Sequence, residues 1–128
     1  MITPQQVEKR LFDLSKEMDE AHADLVQAEQ EFHSASAHYE VAMAKARMKN
    51  SQSDLKMTAT MREDQALIEN EAMHLRLAIA EASVKASRAN VNRIRTQVDI
   101  TRSISSSIKA TLESVSYTHL TLPTNREV

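Results

Sequence analysis

Residues 19–22 read Asp-Glu-Ala-His, a string found in nucleic-acid-dependent ATPases. The chemistry of those enzymes needs a glycine-rich loop that cradles phosphates and a strand beneath the acidic residues. This chain contains no glycine, and a helical heptad repeat runs straight through Ala21. We therefore interpret the string as a chance match on a helix and not as a nucleotide site.

A second candidate for chemistry is the pair Glu71 and His74, whose spacing matches the Glu-x-x-His element of di-iron helical bundles. Such a site needs a second copy of the element and two further glutamates that face the same core. In the heptad repeat described below, Glu71 flanks the apolar row and His74 points away from it. We expect a surface ion pair here, with no metal and no cofactor. Three further histidines are expected on a polar, solvated face of the first helix: His22, His33 and His38.

The most informative charged feature is a basic row with a spacing of seven residues. It consists of Arg88, Arg95, Arg102 and Lys109, with Lys85 and Arg93 nearby. Seven residues advance about 10.5 Å along an α-helix, so the row forms one stripe about 30 Å long.

Three interpretations of this stripe remain open. In the first, it flanks an apolar seam and pairs with Glu17, Asp24 and Glu31 of another subunit. In the second, it contacts nucleic-acid phosphates, and nearby hydroxyl and amide groups add hydrogen bonds. Because no aromatic residue stands beside the stripe, such binding would ignore base sequence and depend strongly on salt. In the third, it lies on a membrane, but the helix lacks the Trp, Phe and Leu face that membrane-surface helices use.

The composition excludes most enzyme folds. The chain has 128 residues, no glycine, no cysteine and two prolines. Phosphate loops, tight β-hairpins and nucleophile elbows all depend on glycine, and disulfides and thiolate metal sites depend on cysteine. The N-terminus does not resemble a signal peptide, and no apolar run approaches the roughly 18 residues of a membrane span. We expect a non-enzymatic cytoplasmic protein with no membrane association and no small-molecule substrate.

The first half of the chain predicts one long helix over residues 4–49. Thr3 can cap this helix, Pro4 suits its first position, and Gln6 completes a capping box. Apolar or small residues then alternate in steps of four and three, which is a heptad seam. One row of the seam is large and the other becomes alanine, which allows a partner helix to approach closely. The rows are Leu11, Met18, Leu25, Phe32 and Tyr39, and Ala21, Ala28, Ala35 and Ala42.

Residues 50–54 are predicted to form a turn before a second helix over residues 54–113. Asn50 is expected in a left-handed cap conformation, and Ser53 or Asp54 is expected to cap the second helix. The second helix carries its own heptad seam, formed by Met61, Ile68, Ala72, Leu75, Ile79, Ala82, Ala86 and Ala89.

Antiparallel folding of the two seams predicts a register in which large residues face small ones. This register pairs Leu25 with Ala82, Met18 with Ala89, Ala28 with Ile79, and Tyr39 with Ile68. It also brings together Asp24 and Lys85, His38 and Glu71, Lys45 and Asp64, and Glu29 and Arg76. We predict an all-α fold, an antiparallel helical hairpin that forms one coiled-coil domain over residues 1–114.

The second helix has another apolar row on its opposite face, which one intramolecular partner cannot cover together with the seam. Each large apolar side chain left in water forgoes about 1.5–3 kcal/mol, so we expect this row to drive homo-oligomer formation. A break near residues 90–92 that folds a third helix onto the chain is an equal alternative, compatible with the first. The predicted oligomer interface consists of Leu77, Val84, Val91, Ile94, Val98, Ile108 and Leu112.

Residues 115–128 lose the helical periodicity and alternate like a strand. This segment resembles the translation of a sequencing adapter, so we expect an artefactual or disordered tail that carries no biological information.

Two stretches carry a resemblance to known proteins: YEVAMAKAR at residues 39–47 and VDITRSISSSIK at residues 98–109. They resemble short all-helical proteins of tailed phages and, more distantly, the UvsY family of recombination mediators. The resemblance implies an oligomer that binds single-stranded DNA and helps to load a recombinase in the host cytoplasm. It also implies that Lys45 and Arg47 contact DNA together with the basic row. The alternative function is a structural or adaptor coiled coil, such as a virion assembly or scaffold component, that binds no nucleic acid.

Overall fold

The computed structural model describes the backbone of residues 2–53 and 57–127, and the side chains of residues 2–52 and 57–115. In these ranges the chain is all-α, with helices α1 (Pro4–Ser53), α2 (Ala59–Glu69) and α3 (Glu71–Glu127) and no strand. Helix α1 packs antiparallel against α3, which confirms the predicted helical hairpin. The chain divides into two compact units. Unit 1 comprises Met1–Glu20 and Val91–Val128, and unit 2 comprises Ala21–Asn90.

The N-terminus of α1 has the predicted capping box. The backbone N–H of Gln6 donates to Thr3 Oγ1 at 3.2 Å, and the backbone N–H of Thr3 donates to Gln6 Oε1 at 2.9 Å. Two N–H groups that a helix start otherwise leaves without a partner are thereby satisfied.

The predicted turn differs from the observed one. Helix α1 continues to Ser53, and Asn50 lies inside it as a buried residue with no left-handed conformation. Helix α2 is capped by Thr58, whose hydroxyl accepts from the backbone N–H of Met61 at 3.2 Å. Asp54, the other predicted cap, lies outside the described residues. The expected positions of Asn50 and Ser53 were therefore wrong, because α1 is about one turn longer than its periodicity indicates.

Asn70 separates α2 from α3 and interrupts what was predicted as one helix. Its side-chain amide donates to the carbonyl of Ala66 at 2.9 Å, where it competes with the helical ladder. Its backbone has φ −111° and ψ 26°, outside the helical region. Helix α3 then runs without a break through residues 90–92. Its backbone stays helical to Glu127, through most of the segment that was predicted to be an artefactual or disordered tail.

In unit 1, the N-terminal part of α1 packs against α3 through four buried apolar side chains: Val7, Leu14, Val91 and Ile94. Leu14 is completely buried and Ile94 is 2% exposed. The Arg10 guanidinium of α1 donates to Gln97 Oε1 of α3 at 3.1 Å. Burial of branched side chains at this seam supplies the main stabilisation of the unit, at about 1.5–3 kcal/mol for each fully buried residue.

In unit 2, the core is formed largely by the predicted alanine row of α1. Ala21, Ala28 and Ala35 are buried, as are Ala80 and Val84 of α3. Met43 and Ala46 of α1 form a further cluster with Ala66 of α2, and Tyr39 packs against it. Ala42, the fourth member of the row, is half-buried. The alanine row therefore lies on the packed side of α1.

Helices α2 and α3 pack against α1 through the face opposite to the predicted one. Met61, Ile68, Leu75 and Ile79, which were assigned to the intramolecular seam, are between 52% and 67% exposed. Among the residues assigned to a subunit interface, Val84, Val91 and Ile94 are buried inside the hairpin of a single chain. Leu77, Val98 and Ile108 are half-buried, and Leu112 is exposed. The seam assignment was therefore wrong, although both apolar faces exist.

The register in unit 2 differs accordingly. The rings of Tyr39 and His74 lie 5.5 Å apart, and the Asn70 amide is 4.0 Å from Met43 Sδ. Tyr39 therefore lies opposite a position six residues beyond Ile68, its predicted partner. The predicted charge pairs change with it: Glu29 meets Arg88 and not Arg76, and His38 meets Arg76 and not Glu71.

Two arginines connect the end of α1 to the start of α2. Arg47 and Glu63 form a two-pronged pair, with Nε to Oε1 at 2.8 Å and Nη2 to Oε2 at 3.3 Å. The half-buried Arg62 donates to the carbonyl of Met57 through Nε and Nη2, and to Ser51 Oγ through Nη1. The carbonyl of Met57, just before α2, is thereby satisfied by a side-chain donor.

Candidate nucleic-acid interface

All six basic residues predicted to contact nucleic acid are exposed, but they divide between the two units. Helix α3 is continuous through these positions. The three residues of unit 1 that are spaced by seven, Arg95, Arg102 and Lys109, therefore lie on one side of the helix. Unit 1 holds Arg93, Arg95, Arg102 and Lys109, and unit 2 holds Lys85 and Arg88.

In unit 2, both cations have an acidic partner in their own chain. Arg88 Nη2 lies 3.4 Å from Glu29 Oε1, and Lys85 Nζ lies 3.4 Å from Glu81 Oε1 one turn earlier. Exposed pairs of this kind contribute about 0–1 kcal/mol, but they neutralise the charge that a phosphate would otherwise meet. Unit 2 is therefore the weaker half of the predicted interface.

In unit 1, Arg95 and Arg102 line one side of a groove of about 510 Å³ between α1 and α3. Leu11 and Met18 form part of the groove wall. The carboxylates Asp19 and Asp99 line the same groove, so its electrostatic potential is mixed. Lys109 lines a second, smaller groove of about 160 Å³.

The three cations with the seven-residue spacing in unit 1 differ from those of unit 2 in their partners. Within the part of the chain whose side chains are described, Arg95, Arg102 and Lys109 form no salt bridge and no hydrogen bond. Their charges are therefore available to an external anion. This row is called the unit 1 cation row below.

The hydroxyl groups around the unit 1 cation row are partly committed to the helix itself. Ser103 Oγ donates to the Asp99 carbonyl at 3.0 Å, and Thr101 Oγ1 donates to the Gln97 carbonyl at 2.7 Å. Such bonds to the preceding turn use the only hydroxyl proton, so these groups remain as acceptors only. While they make these bonds, Ser103 and Thr101 have no hydroxyl proton to donate to an external anion.

The other two residues implied by the family resemblance lie in unit 2 and differ from each other. Lys45 is exposed. Arg47 is held by Glu63 in the pair that stabilises the turn, so its guanidinium already has an anionic partner. The sequence could not indicate this pairing, because Arg47 and Glu63 come together only through the fold of the turn.

The other predicted candidates occupy structural positions. Ala21 of the Asp-Glu-Ala-His string is buried in the helix packing, as a heptad residue should be. The His74 ring packs on Tyr39, and His38 Nδ1 lies 3.4 Å from Arg76 Nη1. In the described ranges no group of three or more histidine or acidic side chains is placed to hold a metal ion.

One feature of unit 1 was missed from the sequence. An apolar groove of about 710 Å³ lies beside the N-terminus of α1, where Ile2 and Pro4 meet α3. On the α3 side the groove is lined by three isoleucines and a leucine at a spacing of four residues: Ile100, Ile104, Ile108 and Leu112. This spacing is visible in the sequence and could have indicated an apolar row. Only the last two had been placed in an apolar row.

Across the described parts of the chain, none of the helices has the length and apolar content that crossing a bilayer requires. In comparisons with known proteins, the chain matches no family model, no curated protein and no solved structure.

Proposed function

We propose that the protein is a non-enzymatic accessory protein of DNA recombination or replication, of the phage type, that binds single-stranded DNA without sequence preference. It acts in the host cytoplasm as a homo-oligomer and cooperates with a recombinase. The observation that supports the proposal is the unit 1 cation row, because its three exposed charges have no acidic partner among the described side chains.

The spacing of the unit 1 cation row suits a flexible, single-stranded ligand. Neighbouring members are separated by about 10.5 Å along α3, so a strand lying along the helix could place phosphates beside each of them. A guanidinium can also donate two parallel hydrogen bonds to one phosphate. Asp19 and Asp99 lie in the groove of the two arginines and reduce the attraction, so binding is of moderate affinity and strongest at low salt.

The alternative is a structural or adaptor coiled coil, for example a virion assembly or scaffold component, that binds no nucleic acid. A different observation favours it: the apolar heptad row of α2 and α3 lies on the outside of unit 2. Exposed apolar rows of this kind mark surfaces that bind other proteins.

Fluorescence anisotropy with labelled single-stranded DNA separates the two functions. Three neutralised phosphates on a single strand give a slope of log Kd against log salt of about 2 in magnitude. The double variant Arg95→Gln with Arg102→Gln should weaken binding at low salt by at least tenfold and flatten the slope. The helix content should be unchanged, because both side chains are exposed.

The matched control is Arg10→Gln with Arg88→Gln, which removes the same charge at positions outside the unit 1 cation row. Because these two arginines are paired with Glu17 and Glu29, the control should weaken binding by less than threefold. Equal losses in the two double variants would indicate attraction by net charge alone and refute the assigned site. Absence of binding at low salt would favour the adaptor function.

A further inference from the structure

The packing of the hairpin leaves one complete heptad row in water. This row, called the open seam, lies wholly within unit 2 on α2 and α3. Its large members, Ile68, Leu75 and Ile79, are 67%, 58% and 62% exposed. All seven members are exposed: Ile68, Ala72, Leu75, Ile79, Ala82, Ala86 and Ala89.

The order of the open seam is that of a coiled-coil contact and not of scattered surface residues. From Ala72 to Ala89, steps of three and four alternate within α3, which keeps these six members on one side of that helix. Ile68 lies before the break at Asn70, in α2, and is exposed as well. At about 100° per residue, this side is turned about 150° away from the buried residues Ala80 and Val84. Helix α1 therefore leaves it uncovered.

We propose that the open seam binds the open seam of a second copy of this chain, antiparallel and about a two-fold axis. The axis lies between Leu75 and Ile79, so that Leu75 of each copy packs against Ile79 of the other. Ile68 of each copy then packs against Ala86 of the other, so a large side chain meets a small one. Ala72 of each copy faces Ala82 of the other, so small side chains meet in two layers of this register. In a parallel pair, Leu75 and Ile79 would each meet their own copies, and every alanine of the seam would face an alanine.

The charges beside the open seam fit the antiparallel arrangement. Glu71 and Lys85 flank the seam on the same edge, and the two-fold axis places Glu71 of each copy next to Lys85 of the other, twice in the dimer. Lys85 is 74% exposed in its contact with Glu81, so it is accessible to a second partner. On the other edge, Arg76 would approach its own symmetry mate, but its guanidinium contacts His38 of α1 at 3.4 Å.

The open seam is separate from the proposed DNA contact. The unit 1 cation row lies outside residues 21–90, so each surface can be removed without changing the other. Self-association through the seam rests on the homo-oligomer of the proposed function. It does not depend on DNA binding, so the DNA titration and the sedimentation test can fail separately.

Sedimentation velocity of the full chain over a range of concentrations provides the first test. The wild-type chain should shift from monomer to dimer as concentration rises. Ile79→Glu should weaken the dimer by at least tenfold while the helix content stays unchanged. Val41→Glu is the matched control, because Val41 of α1 is 54% exposed and lies in the same unit but outside the seam.

A wild-type chain that stays monomeric at every concentration would overturn the proposal. Association that Ile79→Glu leaves intact, or that Val41→Glu weakens equally, would overturn the assignment of the surface.

A charge exchange tests the direction of the pairing. Glu71→Lys and Lys85→Glu should each weaken the dimer, because each creates two like-charge contacts. The double variant should restore it, since both contacts become attractive again. In a parallel dimer Glu71 would face Arg76 and Lys85 would face Asn90, so the double variant would stay as weak as Glu71→Lys alone. That result would refute the antiparallel register.

Discussion

Leu14 is the residue of unit 1 whose truncation should cost most stability. Its side chain is completely buried where α1 packs against α3. Leu14→Ala removes three carbon groups, which is about 2.4 kcal/mol of transfer free energy at about 0.8 kcal/mol each. The residual cavity adds a further cost, so the free energy of unfolding should fall by about 2.5–5 kcal/mol. This is a large share of the roughly 5–15 kcal/mol that holds a typical domain together.

Urea unfolding followed by circular dichroism measures this loss, at one low protein concentration for all variants. The control is Leu112→Ala, which deletes the same atoms in unit 1 from a side chain that is 52% exposed. It should cost about 1 kcal/mol or less, because about half of the apolar surface is already in water. Similar midpoints for the two variants would refute the packing assigned to Leu14.

Two further substitutions test local features of α1 by the same unfolding assay. Thr3→Ala removes the hydroxyl that accepts from the Gln6 N–H and should lower the free energy of unfolding by about 0.5–2 kcal/mol. Its control is Gln5→Ala, two residues away and exposed, which should change the free energy of unfolding very little. Equal effects of the two substitutions would contradict the cap. Ala35→Leu should cost about 1–3 kcal/mol by overpacking, because Ala35 is 2% exposed in the close helix contact of unit 2. Its control Ala37→Leu lies on the exposed side of the same turn and should be neutral, so a neutral Ala35→Leu would rule out close packing there.

The parts of the fold that were predictable from the sequence depend on local signals. The capping box at Thr3 and Gln6 needs only residues three apart, and the heptad seam of α1 needs only its own periodicity. Both correspond to observed features, as does the burial of the alanine row. The antiparallel hairpin follows from two long helices and a short connection.

The packed face of α3 was not predictable, because two apolar rows of similar size compete for one partner. The prediction treated residues 54–113 as one helix, but Asn70 interrupts the ladder by bonding to the Ala66 carbonyl. A break changes the rotational phase between the segments before and after it, so a seam followed through it need not face α1. Nothing in the residue type of Asn70 distinguishes it from an ordinary exposed helical asparagine.

Charge pairs did not fix the register either. Arginine and glutamate side chains are long, and exposed pairs contribute only about 0–1 kcal/mol, so several registers bring opposite charges together. Glu29 was matched with Arg76 and meets Arg88 instead. The exposure of the basic row was predictable from its position on the helix. The identity of the acidic partners of Arg88, Lys85 and Arg47 was not.

The central structural claim is that α3 packs through Val84 and leaves Ile79 in water. Because the chain has no cysteine, Ile79→Cys and Val84→Cys each introduce a single thiol. The rate at which a polar maleimide modifies that thiol, at low protein concentration, reports the exposure of the side chain. Ile79 is 62% exposed and Val84 is 6% exposed, so the thiol at position 79 should react close to the rate in urea, and that at position 84 at least tenfold more slowly than in urea. Fast reaction at position 84 with protection at position 79 would contradict this packing and restore the seam that periodicity alone had predicted.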